Sequence, residues 1–181
     1  MASASGPAPS DAPQTLAVVV MGVAGAGKTT VGLRLAEGLR GQFIDGDDPH
    51  TEEARAKMSR GQPLTDEDRW PWFDRVAAAL SDGVSHGVTT VVASSALRRV
   101  YRDWLRQRAG AGLRFVYLKA DRELMRARVA GRRGHYMPAS VVDSQFATLE
   151  PPDGEPNVIV IPADADLDAA IPKLAAELKG R

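Results

Sequence analysis

The sequence predicts an α/β protein built on one five-stranded parallel β-sheet with helices on both faces. Three observations predict it. Short apolar runs alternate with stretches of helical spacing from residue 16 to residue 179. The short runs are continuously apolar, as strands covered on both faces are. A glycine-rich segment links the first such run directly to the first helical stretch. No internal repeat and no second domain are visible. The expected organisation is a tail over residues 1–13 and one domain over residues 14–181.

The elements follow in order. Leu16–Met21 is a Val-rich run bounded by Pro13 and Gly22. Lys28–Leu39 places Val31, Leu35 and Leu39 at helical spacing. Gln42–Ile44 opens the second strand, and Asp45 to Asp48 follow at its end. Thr51–Arg60 reads as a short helix stopped near Gly61 and Pro63. Trp70–Leu80 reads as a helix with Pro71 in its first turn, where proline is tolerated. Thr89–Ala93 is the third strand, and Leu97–Arg108 a helix ended by Gly110 to Gly112. Leu113–Leu118 is the fourth strand and Asp121–Ala130 the next helix. Gly131–Pro138 is a polar loop rich in Gly and Arg. Ala139–Leu149 is helical, Asn157–Ile161 is the fifth strand, and Leu167–Lys179 is the closing helix.

Charge excludes some functions. Lys and Arg total 23 and Asp and Glu total 23, so the formal net charge is zero. A general nucleic-acid binder usually carries a basic excess. An anionic ligand here is held by local placement, and no nucleic-acid partner is expected. The absence of Cys rules out a disulfide framework and a Cys-based zinc site. Residues 1–13 are rich in Ala, Ser and Pro and lack the basic and apolar regions of a signal peptide. They read as a disordered tail. No apolar run nears the ~20 residues that span a membrane. The expectation is a soluble cytoplasmic protein.

Gly22-Val23-Ala24-Gly25-Ala26-Gly27-Lys28-Thr29 fits the phosphate-loop pattern G-x-x-x-x-G-K-[ST] between a strand and a helix. Its glycines let successive N–H groups converge on phosphate oxygens, and the helix beginning at Lys28 adds its N-terminal dipole. The nucleotide contacts expected are Gly22, Val23, Ala24, Gly25, Ala26, Gly27, Lys28, Thr29 and Thr30. Lys28 would reach the β- and γ-phosphates of ATP, and the Thr29 hydroxyl would ligate Mg²⁺. A glycine-rich turn that binds nothing is the plainer account of such a segment. The complete motif in its required context argues against it.

Asp45 and Asp47 are two apart, so on a continuing strand both project to one face. They lie at the C-terminal end of a parallel strand, where open α/β sheets bind ligands. Two carboxylates there can divide the work. Asp45 is assigned to support of the metal, and Asp47 to acceptance of a proton from an attacking hydroxyl. The competing account is acidic turn chemistry in Asp45-Gly46-Asp47-Asp48-Pro49.

Further motifs follow in a fixed order. They are FIDGDDPH, Lys57-Met58, Gly61-Gln62-Pro63-Leu64-Thr65-Asp66, Asp68-Arg69-Trp70-Pro71-Trp72, Ser95-Ala96-Leu97-Arg98-Arg99 with Tyr101-Arg102, and Tyr117-Leu118-Lys119. Arg133-Gly134-His135-Tyr136, Gln145-Phe146 and Thr148-Leu149-Glu150-Pro151 complete the set. From about Val18 to Pro151 the chain resembles the small P-loop gluconokinases. Pro49 and Thr51 flank His50 where that family usually has Leu and Pro.

The resemblance implies a P-loop kinase three-layer sandwich with a mobile lid over about residues 128–140, and commonly a homodimer. It implies transfer of the ATP γ-phosphate to the 6-hydroxyl of D-gluconate. A linear polyol acid needs a cation for its carboxylate, which suits Arg69, with Lys57 and His50 as further contacts. Surface ion pairs with Asp66 or Asp68, a solvated helix face and a helix cap are the plainer accounts of these three. Ser95 either contacts substrate or caps the next helix. Arg128 and Arg132 share a face if the helix continues, and a closing lid would bring them to the transferring phosphoryl group. Trp70 and Trp72 include at least one core residue. Rival readings are a kinase for shikimate or a nucleoside monophosphate, or a non-catalytic ATP-binding module.

Overall fold

The computed structural model describes residues 14–46, 52–60, 64–131 and 139–180. The elements are β1 (Ala17–Met21), α1 (Lys28–Gly38), β2 (Gln42–Asp45), α2 (Glu52–Ser59), α3 (Asp66–Ser85) and β3 (Thr90–Ala93). They continue with α4 (Arg99–Ala109), β4 (Arg114–Lys119), α5 (Arg122–Ala130), α6 (Ala139–Thr148), β5 (Val158–Pro162) and α7 (Leu167–Gly180). The five strands form one sheet in the order β2-β3-β1-β4-β5, and every pairing is parallel. The expected α/β architecture is therefore present.

The central strand explains the continuous apolar runs. Val18, Val19, Val20 and Met21 are all fully buried, because helices cover both faces of β1. Val18 and Val20 pack with Val31 and Leu35 of α1, Met125 of α5 and Leu174 of α7. Val19 and Met21 pack on the other face with Phe73 and Leu80 of α3 and Leu105 of α4. Each large side chain so buried contributes roughly 1.5–3 kcal/mol.

Two boundaries differ from the expectations for a physical reason. Helix α3 starts four residues before Trp70, at a capping box in which Thr65 accepts from the Asp68 N–H and Asp68 accepts from the Thr65 N–H. Pro71 is thus the sixth residue of the helix and not in its first turn. Its ring removes the N–H that would reach the Glu67 carbonyl. The polar turn Asp66-Glu67-Asp68 is helical because of the cap, and apolar spacing cannot reveal it. Strand β2 ends at Asp45, and Gly46 already turns. Strand alternation therefore stops short of Asp47.

Candidate active site

The phosphate loop leaves the C-terminal end of β1 and enters α1 through Gly27, whose φ of 91° is left-handed. A residue with a Cβ would be strained there. The Lys28 ammonium donates to the Val23 carbonyl at 3.1 Å, so the side chain curls back across its own loop. The loop is held from outside as well. The Gly22 N–H points at the Ser95 carbonyl at 3.4 Å, and the Ala24 N–H donates to the Gln145 Oε1 at 2.6 Å. Helix α5 presses on the arch at Gly25, where a Cβ would lie 3.1 Å from the Val129 side chain.

Thr29 and Asp45 meet at the end of the sheet. The Thr29 hydroxyl donates to Asp45 Oδ2 at 3.5 Å. A hydroxyl beside a carboxylate is a hard oxygen pair, which suits Mg²⁺. Among the described residues there is no cluster of three His, Cys, Asp or Glu that could hold a metal alone. A metal at this pair would arrive with the phosphates. Gly46 is required by a close approach, since a Cβ there would lie 1.9 Å from the Ala93 carbonyl oxygen. The Trp72 indole N–H donates to the Gly46 carbonyl and ties α3 to the turn after β2. Asp47 and His50 lie outside the described residues.

The acceptor-side cations have other partners. The Lys57 ammonium lies 2.6 Å from Asp68 Oδ1 and 2.8 Å from Oδ2, so α2 is pinned to the α3 cap. That is neither a solvated face nor an open cation. The Lys57 hydrogen bond, followed by the Thr65 N–H, holds the Asp68 carboxyl below its ordinary range. Arg69 donates through Nε to the Leu64 carbonyl at 3.3 Å, and its guanidinium stands 5.8 Å from the Tyr101 ring centroid. Asp66 pairs with Arg98 at 2.7 Å and Asp68 with Lys57 at 2.6 Å, so the carboxylates near Arg69 are engaged by other cations. Asp66 accepts from the Tyr101 hydroxyl at 2.5 Å and from Arg98 at 2.7 Å. The Tyr101 bond is the main cause that lowers the Asp66 carboxyl, with Arg98 assisting.

Ser95 contributes its carbonyl to Gly22 and does not cap α4. The cap comes from Glu150, whose Oε2 accepts the Arg99 N–H at 2.6 Å. Both Trp70 and Trp72 pack inward: Trp70 lies 4.5 Å from Trp104 and 5.6 Å from Tyr101, and Trp72 lies 4.4 Å from Phe73, centroid to centroid. Helix α5 stops at Ala130 with Gly131 as its cap, so the shared face expected for Arg128 and Arg132 is not continued by the helix. Arg128 donates to the Ala163 carbonyl at 3.0 Å, and Arg132 lies outside the described residues. Three residues at the site were not singled out as site residues by sequence reasoning: Gln145, Trp72 and Arg98. Gln145 appears in a motif, but only the fold brings it to Ala24, 121 positions away.

A phosphate loop at the carboxyl end of the central strand of a parallel sheet, with a carboxylate across from its threonine, defines the P-loop nucleotide-binding class. The family model described as AAA domain matches residues 18–152. The chain is 40% identical over 176 residues to a probable gluconokinase of Rattus norvegicus, covering 88% of this chain and 93% of that one. It is 41% identical over 157 residues to a gluconokinase of Gluconobacter oxydans (strain 621H), covering 87% and 88%. The crystal structure of a gluconokinase from Sinorhizobium meliloti 1021 superposes with a TM-score of 0.80 at 40% identity, covering 94% and 93%. The chain belongs to the gluconokinase family.

Proposed function

We propose that this protein transfers the γ-phosphoryl group of ATP to the 6-hydroxyl of D-gluconate, giving 6-phospho-D-gluconate and ADP. One observation carries the reading: the phosphate-loop threonine meets the β2 carboxylate at the mouth of the sheet, in a chain of the gluconokinase family.

The roles follow from the chemistry. The phosphate loop from Gly22 to Thr30 and the Lys28 ammonium bind the triphosphate. Thr29 and Asp45 would hold Mg²⁺, which when bound offsets phosphate charge. Asp47 accepts the proton of the 6-hydroxyl as that oxygen bonds to the γ-phosphorus and the bond to ADP breaks. Arg69, Lys57, His50 and Ser95 are assigned to gluconate, with Arg69 on its carboxylate. Lys57 would have to share its charge with Asp68. Arg128 and Arg132 are assigned to the equatorial oxygens of the transferring group, and Arg128 would exchange its Ala163 contact for them. The family resemblance supports a lid over about residues 128–140, a homodimer and a cytoplasmic location. Among the described residues no helix is long and apolar enough to cross a membrane.

The test is ADP release measured in parallel with D-gluconate, shikimate and AMP. Turnover that depends on gluconate and on Mg²⁺ is the expected result. Preference for shikimate or AMP, or turnover independent of any acceptor, would overturn the assignment. Sedimentation at assay concentration checks the dimer.

A further inference from the structure

The turn after β3 is held far more firmly than a connecting loop needs to be. Ala96, 1% exposed, has φ of +40°, a left-handed conformation that a residue with a Cβ seldom adopts. The side chain that enforces it is Arg102, fully buried. Its Nη1 donates to the Ala96 carbonyl at 2.9 Å and to the Leu97 carbonyl at 3.0 Å. Its Nη2 donates to the Glu150 carbonyl at 3.0 Å, and its Nε and Nη2 grip the Glu155 carboxylate. Arg106 binds the same carboxylate at 2.9 Å. The Glu150 N–H returns to the Leu97 carbonyl at 2.9 Å. Two bonds of the guanidinium hold the turn itself, and the rest tie it to Glu150 and Glu155.

That turn lies where chemistry is expected. Strand β3 sits between β2 and β1, so the turn stands between Asp45 and the phosphate loop. It touches the loop directly, through the Ser95 carbonyl and the Gly22 N–H. Just before it, the Ser94 hydroxyl is buried with no hydrogen-bond partner among the described residues. Backbone strain that its surroundings over-determine concentrates at ligand sites, where it fixes geometry before the ligand arrives. A glycine at 96 would remove the strain at no steric cost, yet the chain keeps alanine.

We infer that Arg102 is a positioning residue for phosphoryl transfer. Together with Glu150 and Glu155 it locks the turn at Ser95 and the left-handed Ala96, and the locked turn orients the acceptor against the phosphate loop. The inference rests on the kinase reading given above. It assigns to Arg102 an action through Ala96 and Ser95, not contact with the reacting atoms.

Ala96→Gly is the discriminating variant. Lost strain and lost methyl packing oppose each other, so Tm is expected within about 3 °C of the parent. The freed turn samples other shapes, so kcat/KM for gluconate is expected to fall at least about tenfold. KM for ATP should stay within about twofold, because the bulk of the phosphate loop's N–H groups lie beyond Gly22. A variant with parental Tm and kcat/KM within about twofold overturns the inference. Should Ala96→Gly fail to fold, Arg102→Lys decides. It keeps the charge and loses the fork, and it is assayed well below its own Tm. Retained ATP binding with the tenfold loss supports the inference, and near-parental turnover overturns it. The parent is assayed first against gluconate, shikimate and AMP. Activity on another acceptor would overturn the gluconate reading alone, and the same variants on that acceptor would still decide the role of the turn.

Discussion

Replacing Glu155 by Gln removes one charge and almost no volume from the most buried ionic site described. Glu155 is 4% exposed at its side chain, Arg102 is fully buried and Arg106 is 14% exposed. Glutamine can still accept one hydrogen bond, but it leaves two guanidinium charges without their carboxylate. Breaking one side of a buried ion pair costs about 3–5 kcal/mol. Arg106 can turn part of its charge to water and to Asp103, 2.9 Å away, so the lower end is expected, about 3 kcal/mol. For a domain of this size that lowers Tm by roughly 6–12 °C. Urea unfolding at neutral pH is the assay, and the midpoint should fall while the slope stays constant. The pH dependence supplies a second reading. Burial pushes the Glu155 carboxyl up, but Arg102 and Arg106 outweigh it and hold it below its ordinary value of 4.5. A carboxyl lowered on folding stabilises above that ordinary value, and the contribution is lost as pH falls through the folded value. The gap between parent and variant should therefore close as pH is taken down through and below about 4. A loss under about 1 kcal/mol at neutral pH, or a gap that does not change with acid, would refute the reasoning.

Other outcomes are expected from the same structure. Gly46→Ala forces a Cβ to 1.9 Å from the Ala93 carbonyl oxygen, which is backbone and cannot swing aside. It should cost about 2–3 kcal/mol in urea unfolding and lower activity through Asp45, and parental stability would count against the close approach. Gln145→Ala removes the acceptor of the Ala24 N–H. KM for ATP should rise about fivefold, the equivalent of about 1 kcal/mol, with KM for gluconate unchanged. Equal effects on both substrates would show that the contact does not shape the phosphate loop. Asp47→Asn should cut kcat by about 10²–10⁴ while ATP still binds in equilibrium dialysis, and near-normal turnover would remove Asp47 from the base role. Lys28→Ala should weaken catalysis and nucleotide binding together, and a loss confined to one of them would contradict its placement on the triphosphate.

The local features were legible in the residues themselves. The phosphate loop reads directly because its work is done by backbone shape, and glycine spacing encodes that shape over eight positions. The strands read because burial on both faces leaves an uninterrupted apolar signature, as in Val18 to Val20. The α3 start at Asp66 was also written in the chain, in Thr65 and Asp68, but in capping chemistry that periodicity does not register. Contacts between distant positions were not legible. Nothing near Gln145 says that it will reach Ala24, and nothing near Arg102 says that it will meet Glu155, 53 positions on. Whether Lys57 faces an open pocket or the Asp68 carboxylate depends on how α2 docks on α3, and the same holds for Arg128 and the Ala163 carbonyl. Hydrogen bonding and apolar periodicity along one segment are short-range and leave a mark in sequence. The direction in which a long charged side chain turns is set by whichever oppositely charged neighbour the folded chain brings within reach, and only the packed sheet and its helices choose that neighbour.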